Sequence, residues 1–171
     1  MKRIFSFLLV FILLLPLWGC QQEDTTFVPR FFYPLQNYGY NELEGRFNTN
    51  SISDELREDI IYRSSAQVIE AYLNGPLDPA LQNPFPADTK LVDLHVEGTK
   101  LHLILTDHLS ELTGIPLIMA CACLAQTAMT LTNMQEVQIR CETAQLDGEM
   151  SITINSSSMV FNDQIIDKNA Q

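Results

Sequence analysis

Positive charge is scarce in this chain of 171 residues, which has 10 lysines and arginines against 21 aspartates and glutamates. Its formal net charge is −11 at pH 7 with histidine counted as neutral. A surface field of this sign repels the phosphates of nucleic acids and the headgroups of anionic lipids. The composition therefore excludes a nucleic-acid partner, and it excludes electrostatic attraction as the force that holds the protein at a membrane.

Motifs for known chemistries are also missing. The chain has no G-x-S-x-G nucleophile elbow, no H-E-x-x-H zinc motif and no glycine-rich phosphate loop. Asp107 and His108 resemble an acid–base pair, but adjacent side chains on an extended segment point apart, so a polar cluster at a strand end is the better interpretation. We therefore expect no enzymatic activity, no catalytic residue, no cofactor and no bound metal.

Cysteine is too rare to build a disulfide framework. Four cysteines are present, and the first, Cys20, belongs to the N-terminal segment. The remaining three, Cys121, Cys123 and Cys141, are an odd number and cannot all pair with one another. Two residues apart on a predicted helix, Cys121 and Cys123 point to nearly opposite sides and cannot chelate one ion together. We expect Cys121 and Cys141 to act as small, buried apolar residues. A single disulfide bridge between these two cysteines is the open alternative.

The N-terminus has the pattern of a secretory signal. Two basic residues precede an apolar run over 4–17, and a small residue stands directly before Cys20. The run is shorter than the about 20 residues that a bilayer-crossing helix needs, and Pro16 interrupts it. We therefore expect a lipoprotein signal peptide over 1–19, acylation of the Cys20 thiol with chains such as palmitate, and a polar tether over 20–28.

A single domain over 29–155 follows, with a loose C-terminal tail over 156–171. Its first element is a predicted strand over 31–35, which is rich in apolar and aromatic residues. Gly39 marks a turn, and residues 42–48 predict a weaker strand that pairs back on the first. The domain is thus expected to open with a hairpin.

A helix is predicted next. The side chains of Ser53 and Asp54 can cap its first turn, where the following acidic residues also favour the helix dipole. Gly75 and Pro76 predict its end. The apolar stripe of this helix consists of Ile61, Val68, Ile69, Tyr72 and Leu73.

The clearest local pattern is the alternation of apolar and polar residues over 91–107, which predicts a hairpin turning at Gly98-Thr99. In that register His95 lies directly opposite His102, with β-carbons about 5 Å apart, and Asp93 shares their face. Two histidines and a carboxylate are a ligand set for a divalent ion. Because surface histidine pairs mostly hold nothing, we expect no metal here.

The remaining pattern predicts a helix over 115–131, a strand over 137–141 and a further strand over 150–154. Each predicted strand has apolar residues on one face only. The expected fold is therefore α+β, a two-layer sandwich in which two helices pack on one face of a mostly antiparallel sheet.

From about Arg30 to Gly148 the chain resembles the GerMN domain of sporulation and spore-germination proteins. The resemblance is carried by the opening strand RFFYPLQ, the helix end VIEAYLNGP, the segment PFPADTKL with the hairpin VDLHVEGTKLHLILTDHLS, and the second helix and last strand LAQTAMTLTNMQEVQIR. The chain departs from the family at Asn133-Met134, where a Pro-Gly turn is common.

The resemblance implies a non-enzymatic envelope domain, similar to the small α/β modules that build rings in secretion-type assemblies. We expect a scaffold or assembly module for sporulation or germination, lipid-anchored at the extracytoplasmic face of the cell membrane, with envelope proteins or its own copies as partners. The alternative is a binding module for peptidoglycan or another envelope ligand. Its binding residues would lie on the polar sheet face: His95, His102, Gln138 and Arg140.

Overall fold

The computed structural model describes residues 28–36, 40–41, 46–47, 52–58 and 64–157, and for 40–41 and 46–47 it describes the backbone alone. The architecture is α+β, as predicted from the sequence. In chain order the elements are β1 (Arg30–Pro34), β2 (Tyr40–Asn41), β3 (Arg46–Phe47), β4 (Ile52–Leu56), α1 (Ser65–Leu73), β5 (Leu91–Glu97), β6 (Lys100–Leu105), a 3-10 helix (Asp107–Glu111), α2 (Gly114–Thr132), β7 (Glu136–Cys141) and β8 (Ile152–Asn155).

Four strands form the main sheet, in the order β5-β6-β7-β8. The β6–β7 pair is parallel, and the other two pairs are antiparallel. The hairpin has the predicted register, with Glu97 opposite Lys100 and His95 opposite His102. Its turn contains Gly98 at a φ of 62°, a left-handed conformation that glycine adopts without steric cost.

Alternate residues of the two central strands form the buried face of this sheet. Leu101, Leu103 and Ile139 are fully buried, as the alternation predicts. The edge strand β5 departs from that prediction, because Val92 and Val96 are 45% and 49% exposed. A register irregularity between residues 91 and 93 disturbs the alternation at Val92, and an edge strand has a neighbour on one side only.

Both helices cover the buried face. Helix α1 packs on β5, and α2 packs on β7 and β8 and also contacts β1. Contact with two sets of strands explains why nine residues of α2 are buried, more than a single apolar stripe provides. By length and composition α2 could cross a membrane, but half of its apolar window lies inside the domain, which is typical of a core helix.

The start of the first helix differs from the prediction. Ser53 and Asp54 lie in strand β4, and α1 begins at Ser65, where the Ser64 hydroxyl accepts a hydrogen bond from the Gln67 backbone N–H. Pairing with β1 overrides the local preference of Ser and Asp for a helix cap. The end of the helix is as predicted, with Gly75 at a φ of 97°, and Ile61 lies outside the described residues.

The partner of the opening strand also differs. Strand β1 pairs antiparallel with β4, with Phe31 opposite Glu55, and not with the predicted strand over 42–48. Within that segment, Arg46–Phe47 pairs with Tyr40–Asn41, and Gly39 and 42–45 lie outside the described residues. The first strand therefore belongs to a separate two-stranded ribbon, not to the main sheet.

Tyrosine hydroxyl groups join this ribbon to the helices. The Tyr33 hydroxyl donates to the Tyr72 carbonyl at 2.6 Å, and the Tyr72 hydroxyl donates to the Phe32 carbonyl at 2.8 Å. The two tyrosine rings stack with centroids 4.7 Å apart. From the other helix, the Thr127 hydroxyl accepts the Phe32 N–H at 3.0 Å. The two bonds to Phe32 satisfy backbone groups of β1 that face the core, and the bond from Tyr33 is accepted by a carbonyl of α1.

Candidate functional site

The main sheet has a polar face, which lies opposite the face covered by the helices. The register of the four strands aligns its residues in rows, one of which runs from His95 through His102 and Gln138 to Thr153. We call the following set the polar face: Asp93, His95, Glu97, Lys100, His102, Glu136, Gln138, Arg140 and Thr153. The apolar Ile104 lies among them in the same register and is buried. The candidate binding residues predicted from the sequence all belong to the polar face.

The histidine pair lies on the β5 and β6 side of this face. The rings of His95 and His102 stack with centroids 4.8 Å apart and planes 4° from parallel. The side chain of His95 is 50% exposed, whereas that of His102 is 16% exposed. The predicted pairing is thus confirmed, and one ring of the pair is accessible.

Each histidine also has a carboxylate neighbour from the same hairpin. His95 Nδ1 lies 2.7 Å from Asp93 Oδ2, and His102 Nε2 lies 3.5 Å from Glu97 Oε2. Two parallel rings direct their nitrogen lone pairs side by side and not toward a common point. Among the described residues, no group of three or more histidine, cysteine or acidic side chains is arranged to hold a metal ion.

The other polar side chains of this face bind neighbours. Lys100 Nζ lies 2.8 Å from Glu136 Oε1, and Gln138 Nε2 donates to Ser151 Oγ at 2.9 Å. Arg140 Nη1 donates to the Cys141 carbonyl at 3.2 Å. The four candidate residues therefore share one surface, but they do not converge on a single ligand position.

Asp107 forms the polar cluster expected at the end of β6. Its carboxylate accepts hydrogen bonds from the Thr143 hydroxyl, the Thr143 N–H and the Ala144 N–H. These bonds, that of the Thr143 hydroxyl above all, lower the pKa of Asp107 from 3.8 to about 2. His108 contacts Glu111 instead, with His108 Nδ1 2.9 Å from Glu111 Oε1. Asp107 and His108 thus do not act as an acid–base pair.

The three described cysteines are buried and unbridged. Burial raises the pKa of both the Cys121 and the Cys123 thiols to about 12, so both are protonated at neutral pH. The prediction of small buried residues is confirmed for Cys121 and Cys141, and the alternative bridge between them is not formed. A protonated, buried thiol is a poor nucleophile.

A cavity of about 540 Å³ lies at one end of the main sheet. Its lining comes from the hairpin turn at Thr99, from residues 133–136 between α2 and β7, and from residues 155–157 after β8. The sequence analysis did not find this cavity. The only sequence signal for the cavity is the polar run that follows the second helix. The three segments that line the cavity come together only in the folded chain.

Comparison with known proteins identifies the family. A sequence model of the family described as Germane, sporulation and spore germination, matches residues 38–147, which is more than half of the chain. This family is not known as enzymatic. No match was found among curated proteins or among solved structures. The chain therefore belongs to the sporulation and spore germination family, whose domain the sequence analysis recognised as GerMN.

Proposed function

We propose that this protein is a lipid-anchored assembly module of the cell envelope that acts in sporulation or spore germination without catalysing a reaction. Membership of the family supports the biological setting. The observation that carries the assembly role is the pair of main-sheet edges formed by β5 and β8, described below. On the polar face, most of the charged side chains pair with one another. Side chains that already pair with one another leave few groups for the capture of a small molecule.

The chemistry of the described residues favours a non-enzymatic role. The Cys121 and Cys123 thiols are protonated at neutral pH, because burial raises the pKa of each to about 12. The Asp107 carboxylate is occupied by three hydrogen-bond donors. Neither group is available as a nucleophile or a general base.

The edges of the main sheet supply the groups through which the proposed assembly takes place. Within the part of the chain that the structure describes, β5 and β8 each pair with one strand only. An edge strand presents backbone N–H and C=O groups that a strand of another molecule can pair with. On β5, the half-exposed Val92 and Val96 add apolar surface along the same edge.

Membrane attachment follows, in this proposal, from the lipid on Cys20. The acidity of the chain gives no attraction to anionic lipids. Each buried methylene of an acyl chain contributes about 0.8 kcal/mol of membrane affinity. A single chain gives only marginal, reversible binding, so stable anchoring needs more than one chain. Confinement to a membrane also concentrates the domain, which promotes the weak contacts that an assembly module makes.

A second candidate function is binding of peptidoglycan on the polar face. The observation in its favour is the half-exposed His95 ring, which lies in the row with His102 and Gln138. Hydrogen bonds from imidazole and amide groups are suited to the polar groups of the wall polymer. The two candidates differ in the importance of the histidine pair, which is dispensable for assembly and required for wall binding.

The anchor is tested by growing cells with an alkyne-tagged fatty acid and measuring its incorporation into the protein. The wild-type chain should carry the tag, and Cys20→Ala should not. Cys141→Ala is the matched control, since it removes a cysteine inside the domain and should leave the tag in place. Tag retained by Cys20→Ala, or absent from the wild type, would show that the protein has no lipid on Cys20.

The assembly role itself is tested by crosslinking in those cells. The wild-type chain should form crosslinked species with copies of itself or with other envelope proteins, and His95→Ala/His102→Ala should form them equally well. Binding to purified peptidoglycan is measured in parallel by co-sedimentation. Loss of both crosslinks and wall binding in the double variant would refute the assembly proposal in favour of the second candidate.

A further inference from the structure

Most of the residues that line the cavity at the end of the main sheet have neutral, hydrogen-bonding side chains. We propose that this cavity binds a neutral sugar unit that carries an acetamido group, as in a glycan of N-acetylated amino sugars. Its volume of about 540 Å³ lies within the range of about 300–1,000 Å³ that is typical of small-ligand sites. The site is distinct from the histidine pair, because neither histidine lines it.

The side chains that line the cavity match the groups of a sugar. Among the lining residues, Asn133, Gln135 and Asn155 have amide side chains, and Thr99 and Ser156 have hydroxyls. An amide or a hydroxyl both donates and accepts hydrogen bonds. A sugar hydroxyl also does both, so a lining of this kind can satisfy several hydroxyls of one ring without requiring a charge on the ligand.

The charge of the cavity argues for a neutral ligand. Glu136 is the one ionisable residue in its lining, and Glu136 Oε1 is 2.8 Å from Lys100 Nζ. An anionic ligand would be repelled by a chain of net charge −11. A cationic ligand would have to compete with Lys100 for the carboxylate. Neither charged class is therefore favoured.

One apolar side chain gives the site a preference among sugars. Met134 lines the cavity between Asn133 and Gln135 and is itself half-buried. Its side chain packs partly against the hydrophobic core. The part that lines the cavity can contact the methyl of an acetamido group, while the neighbouring amides bond to the N–H and C=O of that group. A sugar with a plain hydroxyl at that position would lose these contacts.

Backbone hydrogen bonds hold the lining in place. Asn133 ends α2 at a φ of 55°, and its N–H donates to the Met129 carbonyl at 2.8 Å. The Ser156 N–H donates to the Gln135 carbonyl at 2.9 Å, which joins two of the three segments. The Ser157 hydroxyl donates to Asn155 Oδ1 at 2.7 Å. A lining that is already ordered loses less conformational entropy when a ligand binds.

The test is fluorescence anisotropy of a labelled, β-1,4-linked tetramer of N-acetylglucosamine, titrated with the full chain. The protein is extracted in a detergent without a sugar headgroup, because a maltoside would compete for the site. The unlabelled tetramer should displace the probe. A β-1,4-linked glucose tetramer, which has hydroxyls in place of the acetamido groups, should displace it at least about tenfold more weakly.

Two variants locate the binding. Asn133→Gly keeps a residue that tolerates the positive φ, and combined with Gln135→Ala it should weaken binding by about tenfold or more. Thr99→Ala should have a smaller effect in the same direction. Gln82→Ala is the matched control, because it removes an amide that does not line the cavity, and it should leave the affinity unchanged. Thermal melting of each variant verifies that it is folded.

Several results would overturn the proposal. They are the absence of saturable binding, equal binding by the double variant and the wild type, and equal displacement by the glucose and N-acetylglucosamine tetramers. Binding of a synthetic wall stem peptide in place of the sugar would also overturn it. Because the probe is a soluble sugar, failure here leaves the assembly role untouched, and the cavity variants should crosslink in cells as the wild type does.

Discussion

The two faces of the main sheet are made of alternate residues of the same four strands, yet different interactions hold them in place. On the face toward the helices, Leu101, Leu103 and Ile139 are fully buried in a core to which distant parts of the chain contribute. On the polar face, ion pairs and hydrogen bonds join residues of the same strand or of adjacent strands, as between Lys100 and Glu136.

This difference separates stability from surface function. A change on the buried face disturbs contacts across the whole domain, because protein interiors are closely packed. A change on the polar face affects one or two neighbours that water can replace. The polar face can therefore be adapted to a partner without loss of the fold, and the following predictions test that separation.

The largest effect is expected from a charge placed between the main sheet and its helices. Leu103→Asp and Leu124→Asp each place a carboxylate in a fully buried position without a partner. The penalty of several kcal/mol competes with a total stability of roughly 5–15 kcal/mol, so both variants should unfold. Circular dichroism melting checks this. Near-native melting of either variant would show that the buried face has been assigned incorrectly.

A smaller loss is expected when a buried hydroxyl is removed. Tyr72→Phe keeps the aromatic packing but leaves the Phe32 carbonyl without the hydroxyl that donates to it at 2.8 Å. We expect a decrease of about 1–3 kcal/mol in the free energy of unfolding, measured by urea denaturation. Leu77→Ala, at a side chain that is 64% exposed, is the control and should change it little. Equal effects of the two changes would mean that the bond between β1 and α1 does not stabilise the ribbon.

Asp107 should make stability depend on pH in the acid range. Its pKa is about 2 in the folded protein against 3.8 for an aspartate in the unfolded chain, so its contribution is full above about pH 4 and is lost as the pH falls toward 2. Urea denaturation of the wild type and of Asp107→Asn at pH 5, 3 and 2 measures this contribution. The difference between the two proteins should shrink as the pH falls, and a difference that stays constant would contradict the role of the carboxylate.

The smallest effect is expected on the polar face. His102→Ala removes a ring that stacks on His95 and lies 3.5 Å from Glu97, but these contacts are partly exposed to water. We expect a change within about 0.5 kcal/mol in the free energy of unfolding. A loss as large as that of Tyr72→Phe would contradict this separation, since it would show that the polar face contributes strongly to the stability of the domain.

The sequence predicted those parts of the fold that depend on local patterns. The hairpin register around His95 and His102 follows from strict alternation and a glycine turn, and α2 follows from a long apolar stretch. The pairing of Phe31 with Glu55 joins residues far apart in the chain, and no local pattern encodes it. The sequence predicts Ser53 at the start of a helix, because serine favours the capping position. The pairing with β1 that overrides this preference has no local signal.

The candidate site shows the same limit. Alternation placed His95, His102, Gln138 and Arg140 on one face, and the structure confirms that placement. The alternation does not show that these side chains bind neighbouring residues and not one common ligand. Those contacts depend on side-chain conformation. The cavity was missed because its lining comes from three separate segments that the strand order brings together.

Sedimentation of the full chain, free in detergent and tethered to vesicles, tests the assembly role most directly. A net charge of −11 opposes contact between copies at low salt, and salt screens it over a Debye length of about 10 Å at 0.1 M. We expect monomers in dilute detergent at low salt, and association that increases with salt and on vesicles, equally for the wild type and for His95→Ala/His102→Ala. A strict monomer in every condition would contradict the assembly role, and saturable peptidoglycan binding that the double variant loses would then assign the polar face to the cell wall.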